Sequence, residues 1–93
     1  MKSISLRFKS SVVSLAGNPY GKKVFREQVI PQLEDSTEYC VVFPDHIEMI
    51  ASSFVQGFFS YWLQNFGIDG VLQKITVKAR SQELEKKIMD NLI

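Results

Sequence analysis

The stretch SFVQGFFSYWLQNF, residues 53–66, is the strongest structural signal in the chain. Its apolar residues recur at helical spacing: Phe54, Val55, Phe58, Phe59, Trp62, Leu63 and Phe66. At about 100° per residue they share roughly half of the helix circumference, so the pattern predicts a helix with one buried aromatic face. Gly67 and Gly70 predict where this helix ends.

Strand patterns lie on both sides of this helix. SISLRF (3–8) alternates like a half-buried strand, SVVSL (11–15) predicts a second strand, and KITVKA (74–79) predicts the last one. YCVVF (39–43) is continuously apolar and β-branched, which predicts a central strand buried on both faces. HIEMI (46–50) is interpreted as a brief strand extension that leads to the helix.

Two further helices are predicted. KKVFREQVIPQL (22–33) follows loop-like AGNPYG (16–21), and Pro31 is expected to kink it or loosen its last turn. SQELEKKIMDNLI (81–93) is amphipathic, with Ser81 as its expected N-cap. EDSTE (34–38) is interpreted as a polar connector.

These elements follow the order β-β-α-β-α-β-α. Strands that alternate with helices predict an α/β fold, here a small mixed β-sheet with parallel crossovers and helices packed against it. With 93 residues, the chain is expected to form one domain, residues 1–93. The predicted core includes Phe43, Phe54, Phe58, Trp62 and Leu63.

Composition excludes several classes of protein. Hydrophobic residues make up 45% and charged residues 23% of the chain, which is typical of a globular domain and not of a disordered one. A single cysteine, Cys40, excludes an internal disulfide, and no apolar signal-peptide core is visible, so we expect a cytoplasmic protein. Residues 49–68 lack charge, but six polar side chains interrupt them, and we expect no membrane span.

Catalytic and metal sites are not indicated. Cys40 lies inside an apolar strand and His46 in a loop, and no base is positioned to activate a nucleophile, so we expect no enzyme activity and no cofactor. Asp45, His46 and Glu48 would not converge on a metal, because 45 and 46 point to opposite faces of a strand.

Ser52 and Ser53 lie between the predicted strand extension 46–50 and the body of the predicted helix 53–66. A serine there is a favourable helix cap, and this is the first interpretation. Ser53 also begins a line of small, uncharged residues, with Gly57, Ser60 and Gln64, opposite the aromatic face. We predict a docking surface for another protein formed by Gln56, Gly57, Ser60 and Gln64; the alternative is that this line packs against the chain itself. If this line is a docking surface, Gly57→Arg would remove binding without unfolding the domain.

The segments YCVVF, IEMI and IASSFVQGFF resemble the STAS domain of anti-sigma-factor antagonists. They are more closely similar to the bacterial STAS-like domain of unknown function, as is KITVKARSQELEKKIMDNLI, and the resemblance covers residues 20–93. It implies a non-enzymatic regulator that binds a histidine-kinase-like ATPase or an anti-sigma-type regulator. The resemblance also implies that phosphorylation of a serine at the start of this helix releases the partner. Ser53 matches the family's serine before phenylalanine and is the candidate phosphoacceptor, and in an alternative register Ser52 is closer to the phosphoacceptor of the antagonists. Ala51 stands where antagonists have an acidic residue.

Nucleic-acid binding is the alternative function. Residues 1–30 contain six basic residues and one acidic one, and the basic residues could form one patch. They are Lys2, Arg7, Lys9, Lys22, Lys23 and Arg26. Against this alternative, most aromatic side chains belong to the buried helix face and could not stack on bases.

Overall fold

The computed structural model describes residues 1–34 and 38–93, and the middle of the predicted connector 34–38 lies outside the described residues. Five strands are present: β1 (Lys2–Ser5), β2 (Ser14–Leu15), β3 (Tyr39–Val42), β4 (Met49–Ile50) and β5 (Ile75–Lys78). The helices are α1 (Asn18–Val24), α2 (Ser52–Lys74) and α3 (Gln82–Asp90). A π-helical turn, Phe25–Val29, and a 3-10 turn, Ile30–Gln32, continue α1.

The strands form two sheets. One has the order β1-β3-β5 and the other pairs β2 with β4. The expected parallel crossovers are present, and YCVVF supplies the central strand, as predicted. A mixed sheet would also need an antiparallel pair, and none occurs among residues 1–34 and 38–93.

One face of the three-stranded sheet is buried across all three strands. On that face Ile4, Val41 and Val77 lie in register and are buried. On the opposite face the flanking residues Ser3 and Thr76 are exposed. The central strand itself has Cys40 buried and Val42 half-buried on that face, so the predicted burial on both faces holds except at Val42.

The aromatic face of α2 forms the centre of the core. Phe43, Phe54, Phe58 and Trp62 are buried as predicted, whereas Leu63 is half-buried at the margin of the core. The indole of Trp62 stacks on Tyr39 of β3 at a centroid distance of 5.7 Å and meets Phe25 edge-on at 4.9 Å. One side chain thus joins the sheet, α2 and the helical segment before β3.

The first helix begins earlier than the sequence predicts. Residues 18–21 were expected to be loop but are helical, because Pro19 in the first turn already has a helical φ and needs no hydrogen-bond partner there. The loosening expected near Pro31 is confirmed by the π-helical turn before it. We call residues 18–32 together the N-terminal helical segment.

The second helical region, Ser52–Lys74, consists of two helical stretches separated at Gly67, whose φ of 70° and ψ of 172° are non-helical. Only glycine adopts this conformation readily, so Gly67 interrupts the helix where the sequence predicts its end. The helical stretch that follows Gly67 and continues to Lys74 was not predicted. No helix in the described part of the chain is both long enough and apolar enough to span a membrane.

The backbones of α1 and α2 touch where each helix has a glycine. A Cβ on Gly57 would collide with the backbone of Asn18, and one on Gly21 would lie 2.7 Å from the Phe58 nitrogen. Gly57 is therefore buried beneath α1, and its predicted placement on the open surface is wrong. The alternative, packing against the chain itself, holds at this residue.

Gly57→Ala is expected to lower the free energy of unfolding by about 1–3 kcal/mol, because the added methyl group overpacks the helix contact. Gly57→Arg is expected to prevent folding rather than to remove binding alone. The adjacent exposed change Gln56→Ala should stay within about 0.5 kcal/mol of wild type. Urea unfolding followed by circular dichroism measures all three, and equal midpoints for Gly57→Ala and wild type would contradict the close contact.

Candidate functional site

The paired strands β2 and β4 place the starts of α1 and α2 side by side. The Ala51 N–H donates to the Leu15 carbonyl at 2.8 Å, which extends the parallel pairing by one residue. Gly17 then turns the chain into α1 with a φ of 99°, and Ala51 precedes α2 as its N-cap. Both helices therefore begin at the same end of the two-stranded sheet.

The two serines are exposed in the first turn of α2. Neither caps its own helix, because the N-cap residue is Ala51 and no side chain accepts a hydrogen bond there. The cap interpretation is wrong in this respect. The Ser53 Oγ instead accepts a hydrogen bond of 3.0 Å from the Gly17 N–H, which links the start of α2 to the start of α1.

A surface groove opens beyond the glycine contact, between the N-terminal helical segment and α2. Its volume is about 270 Å³, and Gly57 lies at its closed end. Lys22, Arg26 and Ile30 line its first wall at intervals of four residues. Both charges on this wall are positive.

The second wall comes from α2 and carries no charge. It consists of Ser60, Tyr61 and Gln64. The Ser60 hydroxyl donates to the Gly57 carbonyl at 2.8 Å, so its hydrogen-bonding capacity is partly used within the helix. The buried ring of Phe25 lies beneath, 5.4 Å from the Tyr61 ring.

The groove contains part of the predicted docking surface. Ser60 and Gln64 line it, Gly57 closes it, and Gln56 is exposed but lies outside it. Whether any of these residues binds a partner stays a prediction.

The opposite wall was not among the residues predicted from sequence. In the predicted helix 22–33, the apolar spacing of Phe25, Val29 and Leu33 indicates the buried face. A second line at the same spacing, Lys22, Arg26 and Ile30, was given no role. That second line was the signal from which this wall could have been found.

The basic residues proposed for nucleic-acid binding do not share one surface. The Lys2 Nζ lies 2.9 Å from the Glu34 carboxylate. Arg7 lines a separate cleft beside Glu27 and Gln28, at the open edge of β1. Only Lys22 and Arg26 share the groove, so the single patch expected from sequence is divided.

The other candidate residues remain apart. Cys40 is a buried thiol in β3. His46 is half-buried in the loop before β4, and its Nε2 has no hydrogen-bond partner among the described residues. Within residues 1–34 and 38–93, no three His, Cys, Asp or Glu side chains lie close enough together to hold a metal ion.

The family of this chain follows from its sequence. A profile of the family described as a STAS-like domain of unknown function matches residues 21–85, from Gly21 in α1 into α3. The match covers more than half of the chain, and the chain belongs to this family. No significant match was found among curated proteins or solved structures.

Ser53→Ala is expected to lower the free energy of unfolding by about 0.5–1.5 kcal/mol, because the Gly17 N–H loses its acceptor. Ser52→Ala serves as the matched control and should change stability by less than about 0.5 kcal/mol, since the Ser52 side chain forms no hydrogen bond with residues 1–34 and 38–93. Hydrogen exchange of the Gly17 amide should accelerate in the first variant alone. Equal exchange rates in both variants would contradict the link between the helices.

Proposed function

We propose that this domain is a non-enzymatic regulator that binds another protein, and that phosphorylation of a serine at the start of α2 controls the binding. Ser53 is the proposed acceptor and Ser52 the alternative. The observation that carries the proposal is the exposure of both serines in the first turn of α2, in a chain of the STAS-like family. A kinase could reach either hydroxyl without unfolding the domain.

The first turn of α2 suits a phosphate chemically. The first N–H groups of a helix have no partner within the helix, and they carry partial positive charge. The Ser53 oxygen already accepts from the Gly17 N–H, so a phosphate oxygen on Ser53 would have the same donor nearby. These contacts favour Ser53 over Ser52.

The modification is a phosphoryl transfer from ATP. The Ser53 oxygen forms a bond to the γ-phosphorus, the bond to the bridging oxygen breaks, and ADP leaves. The hydroxyl proton passes to a base of the kinase. The use of ATP and the reduced thiol Cys40 are both consistent with the cytoplasm as the proposed location.

The added charge would control docking. A phosphate brings about −1.5 to −2 charge to a surface that has no charged side chain from Ala51 to Gly67. An acidic partner surface that docks along α2 would be repelled, and a neutral one would have to desolvate the phosphate, while the fold would be left intact. By resemblance, the partner is a histidine-kinase-like ATPase or an anti-sigma-type regulator, and it would contact Gln56, Ser60 and Gln64.

The experiment begins with protein isolated from its native cells, whose intact mass and phosphorylation site are determined by mass spectrometry. We expect one phosphate on Ser53, which Ser53→Ala removes and Ser52→Ala does not. The partner that copurifies is then produced separately and titrated against both forms. The phosphorylated form should bind at least about tenfold more weakly.

Two results would contradict the proposal in different ways. Equal binding of both forms would show that a phosphate does not control docking. An unmodified chain without any protein partner would remove the regulatory function itself.

A further inference from the structure

We infer that the groove between the N-terminal helical segment and α2 binds an acidic, amphipathic segment of a partner protein. This inference rests on the proposed function, because it names the chemistry of the partner. It adds the first wall of the groove, formed by Lys22, Arg26 and Ile30, to the residues of α2 that are proposed to bind the partner.

The charges of the groove indicate an acidic partner. Lys22 and Arg26 are both exposed, and no carboxylate from the described part of the chain lines the groove with them. Neither forms an ion pair within residues 1–34 and 38–93, where the acidic partners of other basic residues are found, such as Glu34 of Lys2. A carboxylate of a bound segment would supply the missing negative charge.

The apolar part of the groove indicates an amphipathic segment. Ile30 is 42% and Tyr61 44% exposed, and they stand on opposite walls above the ring of Phe25, which is only 3% exposed. Between such walls an apolar side chain of the partner could be covered from both sides. Helices recognised in this way place apolar residues at intervals of three or four, with polar residues on the other face.

The dimensions fit a short segment. Lys22 and Ile30 are eight positions apart, which corresponds to a wall of about 12 Å at the rise of an α-helix. A partner helix of two to three turns spans that length. The volume of about 270 Å³ accommodates a few anchoring side chains and not a larger domain.

Nucleic acid fits the groove less well. Only one wall is basic, the opposite wall is neutral, and Arg7 lies in a different cleft. Tyr61 offers a single exposed ring, whereas single-stranded nucleic acids are bound by basic channels with several stacking side chains.

The test uses a random peptide library displayed on phage and selected against the wild-type domain. The selected peptides are then synthesised, and their affinities are measured by fluorescence anisotropy. The key variant is the double change Lys22→Glu with Arg26→Glu. Lys23→Glu is the control, because it makes the charge change of one of these two substitutions on an adjacent exposed residue that does not line the groove.

The expected peptides are rich in Asp and Glu, with apolar residues three or four positions apart. Their affinity should fall at least about tenfold in the double variant and change less than about threefold in Lys23→Glu. Binding should weaken as salt concentration rises. Circular dichroism establishes that every variant is folded.

The other outcomes each overturn the inference. Neutral or basic peptides, or peptides that bind the double variant equally well, would leave a protein-binding domain whose groove does not recognise acidic segments. Failure to select any peptide would overturn the inference, and the proposed function would then depend on the separate titration of the native partner. Salt-sensitive binding of a single-stranded RNA oligonucleotide, lost in the double variant, would assign the groove to nucleic acid instead.

Discussion

The contact between Gly21 and Gly57 is the constraint on which the rest of this structure depends. Because neither residue has a Cβ, the two helix backbones approach so closely that a methyl group on either glycine would collide with the other helix. The approach fixes how closely α1 and α2 pack, and α2 in turn places Trp62 against both Tyr39 and Phe25. A mid-helix glycine costs about 0.5–1 kcal/mol relative to alanine, and tight packing of the aromatic core offsets that cost.

The same contact gives the surface its shape. At Gly57 the helices touch, and beyond it the larger side chains of Phe25 and Tyr61 hold them apart, so a groove opens from a closed end. The π-helical turn changes how residues align along the first wall, because it has more residues per turn than an α-helix. Arg26 lies within that turn and Ile30 follows it directly, so Pro31 influences the lining of the groove without lining it.

Much of the fold could be predicted from sequence, because apolar periodicity decides which residues are buried. The central strand 39–43 and the aromatic face of the helix at 53–66 both emerged in this way. Gly57 could not be placed by the same reasoning, since a residue without a side chain contributes nothing to hydropathy. The line of small residues that contains Gly57 is uncharged and was expected to be exposed. Only the structure shows that the backbone of Asn18 packs against Gly57. The serines failed as caps for a related reason: a local pattern does not show that Gly17, far away in sequence, supplies the donor.

The link between Gly17 and Ser53 also decides how a phosphate at Ser53 could influence the groove. The starts of α1 and α2 are held together by that hydrogen bond and by the glycine contact four residues later. A rigid junction of this kind favours an effect through charge rather than through movement. Ser53 precedes Gly57 by about 6 Å and Ser60 by about 10 Å along the helix, comparable to the Debye length of about 8 Å at physiological salt. A phosphate on Ser53 would repel a bound acidic segment directly. This repulsion would oppose the attraction of the segment to Lys22 and Arg26. On this argument the proposed switch and the proposed partner chemistry support each other, because an acidic partner is the kind that a new negative charge repels most strongly.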